Sequence, residues 1–255
     1  MIVALPAHAK LNLSLAVHGL RPDGHHEITT VFQAISLHDL LLAQPAETTT
    51  LTGGRPDDLV LRAQRALEAA SGRPLPARFH LLKRIPVGAG LGGGSSDAAA
   101  ALKALARLYP AAVDPARVDL HAVAAQLGAD VPFFLRGGAA LATGRGERLE
   151  QLPPVRGWFA LAWPGFEVST EAVYRRWDEV GGEGENHLTG AAFAVEPRLA
   201  QLAARLDGWR LTGSGSAFFK HCASQEQAEE KKRVADRLGC WTAVARPLAA
   251  GGDVA

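Results

Sequence analysis

Residues 86–97 read Pro86-Val87-Gly88-Ala89-Gly90-Leu91-Gly92-Gly93-Gly94-Ser95-Ser96-Asp97, with five glycines in the seven positions 88–94. The Ala- and Leu-rich residues 98–108 follow directly and are typical of a helix. Glycines ahead of a helix let backbone N–H groups approach an anion closely, and the helix N-terminus adds partial positive charge. The stretch therefore predicts a phosphate-binding loop, in which Ser95 and Ser96 cap the helix, bond phosphate oxygens, or do both.

Three better-known phosphate loops do not fit this stretch. A Walker A loop needs a lysine after its last glycine, and residues 86–97 contain none. Residues 88–93 match G-x-G-x-x-G, but a dinucleotide fold then expects an acidic residue at the end of a strand about 20 residues on. Asp114 stands there before Pro115, an arrangement typical of a helix start. The His-Arg-Asp and Asp-Phe-Gly segments of protein kinases do not follow.

The segments before the glycine loop predict two strands and a turn. Residues 9–18 alternate between apolar and polar or small side chains, which predicts a half-buried strand with Lys10 and Asn12 together on its polar face. Residues 19–24 contain Pro-Asp-Gly and predict a turn, and the β-branched residues 28–35 predict the next strand. His25 and His26 therefore lie where a loop meets a strand.

Helix and strand signals continue around the loop. Asp58 is placed to cap a helix that ends near Gly72, and residues 79–87 predict a strand. A further helix is expected with Asp114 as its N-cap and Gly128 just past its end. Asp130 follows that end immediately.

The second half of the chain has a different order of elements. Strands are predicted over residues 158–163, 209–212, 217–222 and 242–246, and helices over 170–177, 197–206 and 225–238. This β-α-β-β-α-β order predicts a ferredoxin-like domain. We therefore expect two domains, residues 1–150 and 151–255, in an α+β protein with an α/β first domain.

Composition excludes several classes of protein. The 255 residues carry 27 Lys+Arg and 26 Asp+Glu, a formal net charge of +1, which argues against binding nucleic acid or anionic membrane through overall charge. No stretch holds the roughly 18 apolar residues of a membrane span, and the N-terminal apolar run is too short for a secretion signal. Cys222 and Cys240 form no CxxC pair, so two ordinary thiols in the cytoplasm are expected.

Three ordered motifs together resemble the GHMP kinases. Residues 86–96 resemble their second motif, Pro6-Ala-His-Ala-Lys10-Leu-Asn12 resembles the first, and Leu211-Thr-Gly-Ser-Gly-Ser-Ala217 resembles the glycine-rich third. Two further segments, residues 21–27 (Arg-Pro-Asp-Gly-His-His-Glu) and 127–132 (Leu-Gly-Ala-Asp-Val-Pro), narrow the resemblance. They are similar to the branch that phosphorylates the 2-hydroxyl of a cytidine diphosphate-linked methylerythritol in the non-mevalonate isoprenoid pathway.

The resemblance implies a two-domain GHMP kinase fold, an ATP-binding first domain, a ferredoxin-like second domain and an active site in the cleft between them. It implies ATP and Mg²⁺ as cofactors, without indicating which residues hold the metal. The residues expected to bind ATP are Pro86, Val87, Gly88, Ala89, Gly90, Leu91, Gly92, Gly93, Gly94, Ser95 and Ser96.

The resemblance also implies roles in catalysis and substrate binding. Asp130 is expected to accept the proton of the substrate hydroxyl, and Lys10 to pair with Asp130 and stabilise charge on the substrate oxygen. The residues expected to bind the substrate are Asn12, His25, His26, Thr170 and Tyr174. His25 departs from the family, in which most members carry Tyr at this position.

Two alternatives remain at the level of sequence. A GHMP kinase for another small alcohol, such as homoserine or mevalonate, would keep the glycine loop but not residues 21–27. A non-catalytic nucleotide-binding protein of the same fold would be recognised by loss of Lys10 or Asp130, and both residues are present.

The expected binding partner is a small molecule, and neither nucleic acid nor a membrane is expected. The oligomeric state is left open between a monomer and a weak dimer.

Overall fold

The computed structural model of the chain describes residues 1–251, so the last four residues of the expected second domain, 252–255, lie outside the described residues. The chain forms a six-stranded and a four-stranded sheet with helices packed on them. The elements of the first part are β1 (Val3–Leu20), β2 (His26–Pro45), β3 (Thr50–Thr52), α1 (Leu59–Ser71), β4 (Ala77–Leu82), α2 (Gly93–Leu108), α3 (Leu120–Leu127), α4 (Val131–Arg136), β5 (Ala139–Thr143) and β6 (Arg148–Leu152). Those of the second part are β7 (Trp158–Trp163), α5 (Thr170–Val180), α6 (Thr189–Val195), α7 (Pro197–Ala203), β8 (Arg210–Leu211), β9 (Phe218–Cys222), α8 (Gln225–Asp236) and β10 (Trp241–Ala245).

A long antiparallel pair, β1 and β2, organises the first sheet. The two strands pair from Val3–Ala43 to Leu20–His26, with register shifts where β1 bulges. The sheet order is β3-β4-β2-β5-β6, with β1 paired to β2. The apolar faces of α1 and α2 pack on this sheet and form a core that includes Leu67, Phe79 and Leu102, each 0% exposed.

The predicted strand over residues 9–18 is confirmed, but its polar face is not in solvent. Lys10 and Asn12 are only 6% and 4% exposed. The reason is tertiary, because the second part of the chain covers this face: the backbone N–H of Asn12 donates to Thr212 Oγ1 at 2.9 Å. The alternation therefore predicted the strand correctly and underestimated its burial.

The second sheet has the strand order β10-β7-β9-β8, with every neighbouring pair antiparallel. This is the order expected for the split β-α-β arrangement of a ferredoxin-like domain, so that prediction is confirmed. The helices and strands differ from the predicted ones by a few residues at their ends. The short helix α6 was not predicted, because Gly190 interrupts a seven-residue apolar segment.

The predicted N-cap at Asp114 is wrong. Asp114 Oδ1 accepts the N–H of Ala116 at 2.9 Å and caps a separate turn. Helix α3 begins later, with Asp119 as its N-cap, whose carboxylate accepts the N–H groups of His121 and Ala122. Asp114 and Asp119 both carry a cap signal, and only Asp119 lies where the chain enters the helix.

Two predictions next to the glycine loop also need correction. The strand predicted over residues 79–87 ends at Leu82, because the Asp39 carboxylate accepts the N–H groups of Arg84 and Ile85 and removes them from the strand ladder. Helix α2 begins at Gly93, with Gly92 as its N-cap and no side-chain cap bond. Ser95 and Ser96 therefore lie inside the helix and do not cap it.

The two parts of the chain share a continuous core. A cluster of buried residues draws Leu11 and Ile35 from the first sheet and Phe159 and Phe219 from the second. Loop residues Ala89 and Leu91 belong to the same cluster, so the glycine loop is packed at this junction. Among the described residues, no helix is both long enough and apolar enough to cross a membrane.

Candidate active site

Two cavities meet at the junction between the sheets. The larger, of ≈ 760 Å³, has walls from both parts of the chain, including Lys10, Asp130, Tyr174 and Gly213. The smaller, of ≈ 430 Å³, is lined by residues 86–94 together with Asp58 and Lys83. Gly90 and Gly92 line both cavities, so the glycine loop forms the wall between them. A group bound on the loop can therefore reach the larger cavity.

Hydrogen bonds connect the three sequence motifs directly. The N–H of Lys10 donates to Leu91 O at 2.9 Å, which joins the first motif to the second. The N–H of Ala217 donates to Ala89 O at 2.9 Å, which joins the third to the second. The bond from Asn12 N–H to Thr212 Oγ1 joins the first to the third. Residues about 200 positions apart thus form one rigid centre.

The glycine loop leads into the N-terminus of α2. Gly88, Gly90 and Gly92 have φ values of 72°, 78° and 73°. These left-handed conformations favour glycine, since a Cβ clashes there. The N–H groups of the first turn of a helix have no partner within the helix, and no side chain caps α2 at Gly92. Residues 86–94 line the smaller cavity, whereas Ser95 and Ser96 do not and Ser96 is 3% exposed.

Lys10 lies at the centre of a polar network on the larger cavity. Its Nζ donates to Asn12 Oδ1 at 2.6 Å and is 3.5 Å from Asp130 Oδ2. Asn12 Nδ2 donates to Thr30 Oγ1 at 2.8 Å, so both ends of the amide are engaged. The Lys10 ammonium also lies 5.2 Å from the centre of the Phe32 ring. These contacts hold the ammonium at one place.

Asp130 occupies the N-cap position of α4, but its side chain makes no cap bond. Its carboxylate is 32% exposed and points to the cavity beside Lys10. The structure therefore supports a role other than capping for this side chain. Burial, with the nearby charge of Asp130, raises the pKa of Tyr174, so its phenol stays neutral.

An aromatic cluster closes the far end of the larger cavity. His26 stacks on Tyr174 with ring centres 4.7 Å apart and meets the Trp177 ring edge-on at 5.8 Å. His26 Nε2 lies 2.7 Å from Asp178 Oδ1. The side chain of His25 is 57% exposed and makes no ring contact within the part of the chain described by the structure. Since His26 covers one face of Tyr174, a planar ligand has only the remaining ring faces available.

Further polar groups line the same cavity. Thr170 Oγ1 and Ser214 Oγ lie 2.9 Å apart, which joins α5 to the third motif. Arg145 and Arg175 contribute positive charge from the first and second parts of the chain. The sequence motifs did not single out either arginine or Asp178, because each is one of many charged residues and only the fold brings them to the cavity.

Beneath the smaller cavity lies a buried ion cluster. Lys83 Nζ donates to Asp39 Oδ2 and to Asp97 Oδ2, and both carboxylates are almost fully buried. Burial raises the pKa of Asp97 to about 7, although Lys83 opposes the shift. Burial alone would lower the pKa of Lys83, but the two carboxylates raise it. The cluster ties β2 and α2 to the chain segment before the loop.

The structure thus brings together Lys10, Asn12, Asp130, Thr170 and Tyr174 on one cavity, with His25 and His26 at its edge. Nine of the eleven residues expected at ATP line the other. Among the described residues, no group of three or more His, Cys, Asp or Glu side chains is placed to hold a metal ion.

Comparison with known proteins finds relatives of one kind, both for a segment of the chain and for nearly its whole length. Residues 58–138 match the N-terminal domain of the GHMP kinases. A 4-diphosphocytidyl-2-C-methyl-D-erythritol kinase of Thermus thermophilus is 41% identical over 97% of this chain and 96% of its own length. The enzyme of that name from Salinispora arenicola is 38% identical over 97% of this chain and 91% of its own length.

Solved structures agree with these relatives. A crystal structure of 4-(cytidine 5'-diphospho)-2C-methyl-D-erythritol kinase has a TM-score of 0.81 and 38% identity, covering 96% of this chain and 99% of that chain. A homoserine kinase from Cytophaga hutchinsonii has a TM-score of 0.67 at 19% identity, covering 98% of this chain and 95% of that chain, which shows a shared fold alone. The expected GHMP kinase fold is confirmed.

Proposed function

The chain belongs to the family of 4-diphosphocytidyl-2-C-methyl-D-erythritol kinases, within the GHMP kinases, and on that basis we propose that it transfers the γ-phosphoryl group of ATP to the 2-hydroxyl of 4-diphosphocytidyl-2-C-methyl-D-erythritol. This places it in the non-mevalonate pathway to isoprenoid precursors. The observation that carries the proposal is the junction of the two cavities at Gly90 and Gly92, beside Lys10 and Asp130. The acceptor hydroxyl and the phosphoryl donor then meet at one point.

ATP occupies the smaller cavity in this proposal. The backbone N–H groups of the loop and of the first turn of α2 bind its phosphates, supported by the positive end of the helix. Ser95 and Ser96 do not line this cavity, so the proposal assigns the phosphate contacts to backbone groups and not to these two hydroxyls. Phosphoryl transfer needs little covalent chemistry from a protein, so positioning and charge stabilisation supply most of the rate.

Asp130 and Lys10 act on the acceptor. Asp130 orients the 2-hydroxyl and accepts its proton as the oxygen attacks the γ-phosphorus. The Lys10 ammonium, 3.5 Å from that carboxylate, stabilises the charge that develops between them. Asn12 fixes the ammonium and, with Thr170, offers polar contacts to the methylerythritol hydroxyl groups.

The far end of the larger cavity receives the nucleotide part of the substrate. The rings of His25 and Tyr174 provide stacking faces for cytosine, and the edge of the His26 ring provides a hydrogen-bonding atom. Arg145 and Arg175 also line this cavity, and their guanidinium groups suit a diphosphate. The methylerythritol end then lies at Asp130.

Magnesium enters this proposal with ATP. Mg²⁺ is usually held by phosphate oxygens and water with few protein ligands, which is compatible with residues that build no metal cluster of their own. No step above depends on a protein ligand to the metal.

The proposal also includes a division into an ATP-binding domain, residues 1–150, and a second domain, residues 151–255. It further includes a cytoplasmic location, which suits the free thiols of Cys222 and Cys240.

The experiment follows ADP release from ATP and Mg²⁺ with three acceptors in parallel: 4-diphosphocytidyl-2-C-methyl-D-erythritol, homoserine and mevalonate. Asp130→Asn serves as the control variant, because it keeps the shape of the side chain and removes its ability to take a proton. We expect rapid ADP formation with the cytidyl acceptor alone, a phosphorylated product by mass spectrometry, and almost no turnover by the variant. Turnover with homoserine or mevalonate alone, or nucleotide binding without turnover, would contradict the proposal.

A further inference from the structure

Asp178 lies on the larger cavity, and the mechanism above gives it no role. Its Oδ1 is 2.7 Å from His26 Nε2, although the two residues are 152 positions apart. His26 belongs to β2 and Asp178 to α5, so the bond crosses between the two parts of the chain. A carboxylate only accepts hydrogen bonds, and therefore Nε2 carries the hydrogen.

The surroundings of His26 hold its ring in one orientation. Tyr174 stacks on one face, Trp177 contacts it edge-on, and only 11% of the side chain is exposed. Within the described part of the chain the His26 side chain makes one hydrogen bond, between Nε2 and Asp178, and the other ring nitrogen, Nδ1, makes none. In a neutral imidazole whose Nε2 is protonated, Nδ1 is an acceptor.

We propose that Asp178 is a positioning residue that fixes the tautomer of His26 and so makes the pocket prefer cytosine to uracil. This inference rests on the proposed cytidyl substrate. The exocyclic amine of cytosine is a donor, whereas the corresponding group of uracil is a carbonyl acceptor. His26 Nδ1, as an acceptor, pairs with the cytosine amine. With uracil the same nitrogen lies opposite a carbonyl oxygen, which is also an acceptor, so no hydrogen bond forms. A site built to pair with a polar group rejects an analogue that cannot pair.

The kinetic test compares cytidine and uridine forms of the diphosphate substrate at about pH 8, where an ordinary imidazole is neutral. We expect wild-type kcat/KM to favour the cytidine form at least about tenfold. In Asp178→Asn the amide can turn either its oxygen or its nitrogen toward Nε2, so it no longer dictates the tautomer. The preference should then fall by about tenfold, with the KM for ATP unchanged.

Glu179→Gln is the matched control. It removes the adjacent carboxylate of the same helix, which pairs with Arg176 at 2.5 Å and does not line the cavity. The change in net charge is the same as in Asp178→Asn, so an effect of net charge alone would appear in both variants. We expect the control to keep the wild-type preference for the cytidine form.

A second measurement does not depend on turnover. Nitrogen-15 NMR of the histidine side chains, with the His26 signals assigned from His26→Gln, should show the Nε2–H tautomer in the wild type and a loss of that preference in Asp178→Asn. An Nδ1–H tautomer in the wild type, or an unchanged substrate preference in Asp178→Asn, would overturn the inference. Should neither nucleotide be turned over, the proposed function fails, and the NMR spectra still decide whether Asp178 sets the tautomer.

Discussion

Replacing Gly90 by alanine tests whether the contact between the second and third motifs is as tight as the structure indicates. A Cβ at Gly90 would lie 2.5 Å from Gly215 O and 3.3 Å from Thr212 O, both backbone atoms. Neither atom can rotate away, so the loop must separate from the third motif. That movement strains the hydrogen bond from Ala217 N–H to Ala89 O.

Gly88→Ala provides the matched control. Its φ of 72° is close to the 78° of Gly90, so both substitutions carry a similar backbone penalty of about 1–2 kcal/mol. A Cβ at Gly88 meets the side chain of Glu167, which is exposed and can swing into solvent. The clash at Gly88 is therefore relieved by a rotation, and the clash at Gly90 is not.

The expected difference follows from the contact that only Gly90→Ala disturbs. Loss of the loop hydrogen bond and of its packing amounts to about 1–2 kcal/mol beyond the backbone penalty. In a chain of this size this corresponds to a Tm lower by roughly 2–8 °C than that of Gly88→Ala. Urea unfolding measures the free energies of unfolding, and calorimetry measures the Tm values. Equal losses of stability in the two variants would refute the reasoning, because the backbone contact would then yield as easily as a side chain.

Three other changes give separable results. Lys10→Met should lower kcat by orders of magnitude with little change in the secondary structure seen by circular dichroism, and an activity loss that merely follows lost stability would point to a structural role. Because the folded protein raises the pKa of Asp97 to about 7, while an unfolded chain has a value near 4, the folded state binds this proton more tightly. This group therefore makes the free energy of unfolding fall as pH rises from about 4 to about 7. Urea titrations at several pH values should show a flatter slope for Asp97→Asn. The same slope in wild type and variant would contradict the raised pKa of Asp97. Asn186 donates to Leu211 O and Gly213 O and accepts from Leu188 N–H, so Asn186→Ala should lower the free energy of unfolding by about 1–3 kcal/mol and raise KM for the cytidyl substrate. A stability within about 0.5 kcal/mol of wild type would show that the third motif holds its shape without Asn186.

Local patterns predicted much of the fold. Three features have a signature within a short window: the alternation in residues 9–18, the glycines before α2, and the strand-and-helix order after residue 157. The structure contains the corresponding elements, namely β1, the glycine loop and the sheet with the order β10-β7-β9-β8. Two of the errors occurred where two local signals competed. Asp114 and Asp119 both precede helix-forming residues, and Asp119 is the one whose carboxylate accepts the N–H groups at the start of α3. Ser95 and Ser96 are good cap residues, but the left-handed conformation of Gly92 starts the helix earlier.

The order and spacing of residues along the chain identify the groups available for function: a phosphate loop, a strand lysine, an aspartate before α4 and two adjacent histidines. Such signals are encoded in spacing along the chain, because backbone conformation depends on near neighbours. Folding in three dimensions places Lys10 Nζ 3.5 Å from Asp130 Oδ2, puts Gly90 between two cavities, and brings Asp178 into contact with His26. These contacts depend on how the two sheets pack, and the shared core that joins them is built from residues with no local relation to one another.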